Sequence, residues 1–384
     1  MERIEKFLEQ REQEGLMRVL RPCEFRGGGK IYCEGRELLD FSSNDYLGLS
    51  GDKRLKEACI SGVKRFGTGS SASRLLSGDL KIFGELEERV AEFKGKESAL
   101  VFNTGYQANV GIISAFCGRG DAVFCDRLSH ASIIDGARQS GAKFFRFGHN
   151  DLEHLEGLLE KEGGRFSNRL VVTESVFSMD GDKGVLRGLV ELRARYGFVL
   201  LVDEAHATGV FGMRGSGVVE EEGVSEQVDL VMGTFSKALG SFGAYVACSK
   251  SVKDYLVNVC RSFIYSTALP PGVIAANIEA LNIVRDEPFR REELLENAEY
   301  FRGRLAEAGL EVRGESQIVP VITGDNRETV RVSEEMINRG YWIGGIRPPT
   351  VPEGEGRLRF SLSYEHKREV LDKVVEEMVE IVGK

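Results

Sequence analysis

The chain has 384 residues, 42% of them apolar and 29% charged, ordinary values for a soluble globular protein with room for two or three domains. Its 51 Lys and Arg against 60 Asp and Glu leave a net charge of −9, which argues against the basic face that nucleic-acid binding needs. No apolar run approaches the ~20 residues of a membrane span, and the charged start MERIEKFLEQREQEG is unlike a secretory signal.

In chain order, residues 1–20 read as an amphipathic helix with Ile4, Phe7 and Leu8 on one side. Extended segments follow at 30–33 and 37–41. From about residue 52, short apolar runs alternate with helical patterns; the runs are 99–102, 122–125, 143–147, 170–173, 199–202, 230–232 and 244–248. Continuous apolar runs suit strands buried on both faces of a mainly parallel sheet. Residues 84–93 and 189–196 are helical between them. After Pro270 and Pro271 one long helical stretch is expected over 273–302. A strand near 318–322, a helix at 327–339, a strand at 357–362 and a closing helix from His366 complete the chain. The pattern predicts an N-terminal helix and extended segment (1–51), a doubly wound α/β domain (52–284) and a smaller α+β domain (285–384).

The seven cysteines include no C-x-x-C and read as reduced thiols of a cytosolic protein. No two of the five histidines stand at ligand spacing with a third donor, so no metal site is expected.

Ligands of an open α/β sheet bind beyond the carboxyl ends of its strands. Asn103-Thr104-Gly105-Tyr106-Gln107 opens a helix whose free N–H groups would cradle an anion, although a plain strand–turn–helix joint explains it as well. Asp203 and His206 follow the run 199–202 and, three residues apart, can both face one ligand. Lys237 follows the run 230–232 among small residues. An amine there is poorly solvated, which makes Lys237 a candidate for Schiff-base chemistry. The string DEAH at 203–206 also occurs in some helicases, but that reading needs a G-x-x-x-x-G-K-[ST] loop upstream. The nearest Gly-Lys pair, Gly95-Lys96, is followed by Glu97.

Over nearly its whole length the chain resembles the α-oxoamine synthases, pyridoxal 5'-phosphate (PLP) enzymes of fold type I. The likeness runs through FSSNDYLGL (41–49), GTGSSASRLLSG (67–78), SHASIIDG (129–136), VFSMDGD (176–182), VDEAHATGVFG (202–212), GTFSKALG (233–240) and IRPPTVPEGEGRLRFSLS (346–363). It implies a large, mainly parallel sheet domain with a smaller C-terminal α+β domain. It also implies that Lys237 holds PLP and then moves the α-proton, that Asp203 faces the pyridine nitrogen, and that His206 meets the ring's phenolic oxygen. His130 would stack on the ring and steer the acyl group. Gly105 and Tyr106 match the phosphate cradle, and Ser178 and Thr234 match further cofactor contacts. Asn44 and Arg359 fall where the family binds the amino-acid carboxylate, and Arg18 (or the nearby Arg21) and Thr350 where it meets the acyl chain. Gly67–Ser71, Ser266 and Thr267 match stretches contributed to a neighbouring subunit, implying a homodimer with shared sites. Within the family, RPPTVP (347–352) points to the biotin-pathway branch, which joins L-alanine to a pimeloyl thioester of CoA or of a carrier protein. Joining glycine to acetyl-CoA is the alternative. A catalytically silent binding module is the remaining reading, and intact Lys237, Asp203 and His206 speak against it.

Overall fold

The computed structural model describes residues 1–383. By its internal contacts the chain divides into two compact units, one of residues 52–177 and 183–291, the other of residues 1–51, 178–182 and 292 onward.

Strands are numbered along the chain. The first three are β1 (Phe25–Gly27), β2 (Lys30–Cys33) and β3 (Arg36–Asp40); the next seven are β4 (Ser98–Phe102), β5 (Ala122–Asp126), β6 (Lys143–Phe147), β7 (Arg169–Glu174), β8 (Val199–Asp203), β9 (Leu230–Thr234) and β10 (Ala244–Cys248). The last four are β11 (Ile318–Gly324), β12 (Tyr341–Trp342), β13 (Gly345–Ile346) and β14 (Gly356–Ser361). Helices used below are α1 (Glu2–Gln13), α2 (Lys53–Phe66), α3 (Lys81–Lys94), α4 (Gly105–Phe116) and α5 (Ala131–Ser140).

In the 52–291 unit, seven strands form one sheet in the order β4-β10-β9-β8-β7-β5-β6. The pairs β5–β6, β5–β7, β7–β8 and β8–β9 are parallel, and β10 alone runs antiparallel to both its neighbours. Strands β5, β9 and β10 are buried at every residue, which is why their sequences are continuous apolar runs. Ile112, Ile113 and Ile133 from α4 and α5 join Leu100, Val123, Leu201 and Val246 in one core cluster. Local chemistry starts the helices: the Asp52 side chain accepts from Arg54 N, and the Thr104 hydroxyl from Gln107 N. The predicted doubly wound arrangement is therefore present, with β10 as a reversal that composition does not encode.

In the other unit, β1-β2-β3-β12 form a four-stranded sheet and β11-β14-β13 a three-stranded one. Leu358 and Phe360 of β14, Phe301, and Leu371, Val374 and Met378 of the closing helix (Arg368–Val382) are buried there. Three sequence expectations change. The stretch 273–302 is two helices, Pro271–Asp286 and Phe289–Glu307, because Pro288 bars the helical conformation at Glu287, whose φ and ψ are −123° and 61°. The N-terminal helix stops at Gln13, and Gly15 turns the chain with φ +66°. Ile4, Phe7 and Leu8 are exposed. Finally, Cys23 and Cys33 are not free thiols but a disulfide. The β1–β2 hairpin brings their Cα atoms to 4.4 Å, within bonding range. Among the described residues no helix is long and apolar enough to cross a membrane.

Candidate active site

The carboxyl ends of β7, β8 and β9 deliver Glu174, Asp203 and Thr234 to one pocket, which Gly105, Tyr106, Asn109, His130, Ser132, His206, Ser236 and Lys237 also line. Lys237 leaves β9 in a tight turn: Phe235 N donates to Gly243 O, and Gly240 N to Lys237 O. The turn needs glycine at 243, where φ is +106° and a side chain would meet Leu269 at 2.8 Å. Half-buried, Lys237 Nζ stands 2.7 Å from His206 Nε2. Asp203 is held on both oxygens, by Asn109 Nδ2 at 2.8 Å and by Ala205 N at 2.9 Å. His130 caps α5: Ser132 N donates to its Nδ1 at 3.3 Å, and the Ser132 hydroxyl lies 2.8 Å from the same atom. Burial holds that imidazole toward its neutral form, against the attraction of Asp203. The Tyr106 ring meets the His130 ring edge-on, and its hydroxyl donates to Asp135.

Glu204, inside the DEAH string, points elsewhere. Its carboxylate forms a fully buried pair with Lys94 at 2.7 Å and accepts Val219 N. Removing one partner of such a pair costs ~3–5 kcal/mol, so Glu204 anchors the turn that carries Asp203 and His206.

The other unit gathers guanidinium groups. Arg359 on β14 is 7% exposed, yet among the described residues it has no carboxylate partner. Its five hydrogen bonds go to neutral oxygens: Ser178 O, Ser361 Oγ, the Tyr46 hydroxyl, and Asn44 Oδ1 at 3.2 Å from both terminal nitrogens. Arg357, two residues earlier, is spent on Asp180 at 2.6 Å and Glu355 at 2.9 Å. A second cavity is lined by Leu16, Arg18, Arg347 and Thr350. Arg18 Nη2 lies 3.3 Å from Thr350 Oγ1, and Arg347 donates to Gly15 O. Arg21, by contrast, faces Glu334 at 4.0 Å and lies over the Trp342 ring.

The structure thus brings Gly105, Tyr106, His130, Asp203, His206, Thr234 and Lys237 into one pocket. It places Asn44, Ser178 and Arg359 together in the other unit, and Arg18 with Thr350. Ser266 accepts from Gln107 Nε2 at 2.8 Å in the first turn of α4, and Thr267 is exposed. Asn109, Ser132 and Glu174 had drawn no sequence assignment. Asn109 is one helical turn beyond Gly105, and Glu174 ends β7 in register with Asp203; those were the available signals.

The pocket fits PLP. Asn109 Oδ1 is buried there without a partner, an acceptor awaiting a ligand. The first N–H groups of α4, at Gly105 and Tyr106, have no intrahelical acceptor and suit a phosphate. An amine, a carboxylate and two imidazoles complete the donor set, which defines a PLP-dependent enzyme of fold type I. Residues 36–378 match the family described as aminotransferase class I and II, and the chain belongs to that family, with PLP as its cofactor.

The relatives narrow the placement to the α-oxoamine synthase branch. The 8-amino-7-oxononanoate synthase of Geotalea daltonii is 49% identical over 96% of this chain and 94% of its own. The one from Geobacter sulfurreducens is 48% identical, covering 97% and 96%. Among solved structures, a serine palmitoyltransferase variant from S. paucimobilis with a bound PLP–myriocin aldimine has TM-score 0.93 at 31% identity, over 99% of this chain and 97% of that one. An 8-amino-7-oxononanoate synthase from Francisella tularensis has TM-score 0.78 at 28% identity, over 90% and 98%.

Proposed function

We propose that this chain condenses L-alanine with pimeloyl-CoA, or with the pimeloyl thioester of a carrier protein, to give 8-amino-7-oxononanoate, the free thiol and CO2. The observation that carries the substrate pair is the set of guanidinium groups left without carboxylates. Arg359, with Asn44 beside it, suits the carboxylate of the amino acid by bidentate pairing. Arg18 and Arg347 around one cavity suit the distal carboxylate of a diacid-derived chain, with Thr350 as hydroxyl donor. The curated relatives named above carry the same activity in their names.

When bound, PLP supplies the electron sink for a carbanion at the amino acid's Cα. The remaining work falls to the chain. Lys237 Nζ takes the α-proton and returns it to the product after CO2 has left. His206 Nε2, 2.7 Å from that amine, orients it. Asp203, fixed on both oxygens by N–H donors, would face the pyridine nitrogen and support its proton. Gly105, Tyr106 and Thr234 hold the phosphate, Ser178 is a further cofactor contact, and His130 covers the ring and steers the acyl group. We further assign Ser266 and Thr267 to the neighbouring subunit's site in a cytoplasmic homodimer.

The test is a matrix of alanine, glycine and serine against acetyl-, pimeloyl- and palmitoyl-CoA, scored by thiol release. Alanine with pimeloyl-CoA is expected to exceed glycine with acetyl-CoA by at least ~10² in kcat/KM, the size of one lost charge-assisted contact. Equal or reversed preference moves the protein to the acetyl-transferring branch.

A further inference from the structure

Glu174 is the one acid in the cofactor pocket to which the reaction assigns nothing. It is 2% exposed, it ends β7, and it lies in register with Asp203 at the end of β8. Neighbouring parallel strands are ~4.8 Å apart, so two carboxyl groups share one buried site. Asp203 has the donors that stabilise charge, Asn109 Nδ2 and Ala205 N. Glu174 has a single donor, the backbone N–H of His130, 2.5 Å from Oε1.

We propose that Glu174 is a positioning residue for the reaction: its carboxyl oxygen, acting as a neutral acceptor, fixes the His130 backbone and so the tilt of the imidazole that covers the cofactor.

Three groups joined by four hydrogen bonds close the arc around this pair. Asp203 is bonded to Asn109, Asn109 Nδ2 also reaches Ser132 Oγ at 2.9 Å, Ser132 meets His130 Nδ1, and His130 N meets Glu174. Both ends of His130, ring and backbone, are therefore tied to the two strands that carry the acids. The residue is the N-cap of α5: its ring is held by Ser132, its carbonyl accepts Ile133 N and Ile134 N, and its own N–H is held by Glu174. The charge state follows from the shared site. Two like charges at strand spacing in a buried pocket do not both persist, and burial, followed by the proximity of Asp203, pushes the Glu174 carboxyl well above the usual carboxylate range. A neutral Glu174 leaves the pyridine nitrogen to Asp203, the acid of the pair with two N–H donors.

The inference rests on the proposed PLP reaction, but its main readout needs no substrate. Visible circular dichroism of the bound cofactor reports the asymmetry of the groups over its ring. Glu174→Met keeps the volume and removes the acceptor; Glu174→Gln keeps a neutral acceptor. In the protein purified with PLP, E174M is expected to change the visible dichroism, weaken PLP binding ~10-fold and lower kcat ~30-fold with the alanine KM changed less than ~3-fold, the scale of one misplaced catalytic contact. E174Q is expected to restore the dichroism and to recover most of kcat. If E174M does not fold, Glu174→Asp, which retracts the acceptor by one methylene and keeps the acid, takes its place with the same expectation. A Gln variant as impaired as Met or Asp would show that the charge matters and overturn the proposal. So would Met or Asp variants with native dichroism and kcat. A wrong substrate assignment would leave the dichroism results intact and appear instead in the substrate matrix.

Discussion

The two units handle charge in opposite ways. In the 52–291 unit, each functional group already has a counterpart: Lys237 faces His206, Asp203 faces Asn109 and Ala205, and Glu174 faces His130. In the unit containing β14, Arg359, Arg18 and Arg347 meet only neutral oxygens. Of the three only Arg359 is buried, where a charge without an opposite partner is costly and is tolerated if a ligand supplies one; Arg347 is half-buried and Arg18 exposed, so neither bears that cost in full. The difference separates chemistry from recognition. Under the proposed function, one unit pre-arranges groups that would exchange a proton, and the other leaves cations for carboxylates that would arrive with substrate.

The sharpest break of this contrast is at the amine. Lys237→Ala should lower turnover by ~10⁴ or more, as expected for a residue that both holds the cofactor and moves the proton. The protein should still bind PLP non-covalently. Borohydride reduction of the native protein and peptide mapping should label Lys237, and label on another lysine would remove it from the centre of the site.

That prediction draws on the most legible part of the chain. Strands buried on both faces leave uninterrupted apolar runs, so most strands of the large sheet could be read directly, the edge strand β6 with its Lys143 and Arg146 excepted, and residues following the runs were the site candidates. Strand direction leaves no such trace, and the reversal of β10 stayed hidden. Pro288 was a readable stop, overridden by the helical periodicity on both sides of it. Asn109 and Glu174 escaped because each acts through a partner far away in sequence, and Ser132 because polar residues on a helix or strand end carry no periodic signature. The Cys23–Cys33 bond escaped because the hairpin register, not the spacing, makes it. Arg359 and Arg357 lie two apart on one strand, a spacing that does not separate them in sequence; in the structure, the carboxylates of Asp180 and Glu355 distinguish them.

Recognition should fail more gently than chemistry. Arg359→Lys keeps the charge and loses the planar fork. The alanine KM should rise ~10–100-fold, the worth of one charge-assisted contact, with a smaller change in kcat. A large fall in kcat at unchanged KM would place Arg359 with the reacting groups. Arg347→Gln should act on the acyl substrate alone. Burial, and then the nearby Arg18, already lower the pKa of its guanidinium, so removing it relieves repulsion in the free protein while costing the distal carboxylate a partner. The preference for pimeloyl- over acetyl-CoA should narrow ~10-fold; an unchanged ratio would assign that carboxylate to Arg18 alone.

The smallest effect compares two imidazoles, of which only His366 is fully buried. His130 borders the cofactor pocket, whereas His366 lies in the unit containing β14, stacked on Phe41 at 4.1 Å. Both its nitrogens are used, Nδ1 by Ser363 N and Nε2 by Asp40 O, each at 3.1 Å. Burial lowers its pKa from 6.5 to about 4. The unfolded chain therefore binds a proton that the folded chain refuses between those values. Stability from this residue is complete above pH 6.5 and falls on acidification toward pH 4, by ~1.4 kcal/mol per pH unit at most. His366→Asn can keep the acceptor toward Ser363 N and removes the titration. The variant should be less stable than the native protein at pH 7.5, yet lose less of its melting temperature on going to pH 5. The alanine KM and the visible spectrum of bound PLP should stay unchanged at pH 7.5. A parallel pH profile for the two proteins would show that His366 is protonated in the folded state, and that the contrast between a titrating site and a silent core does not extend to this ring.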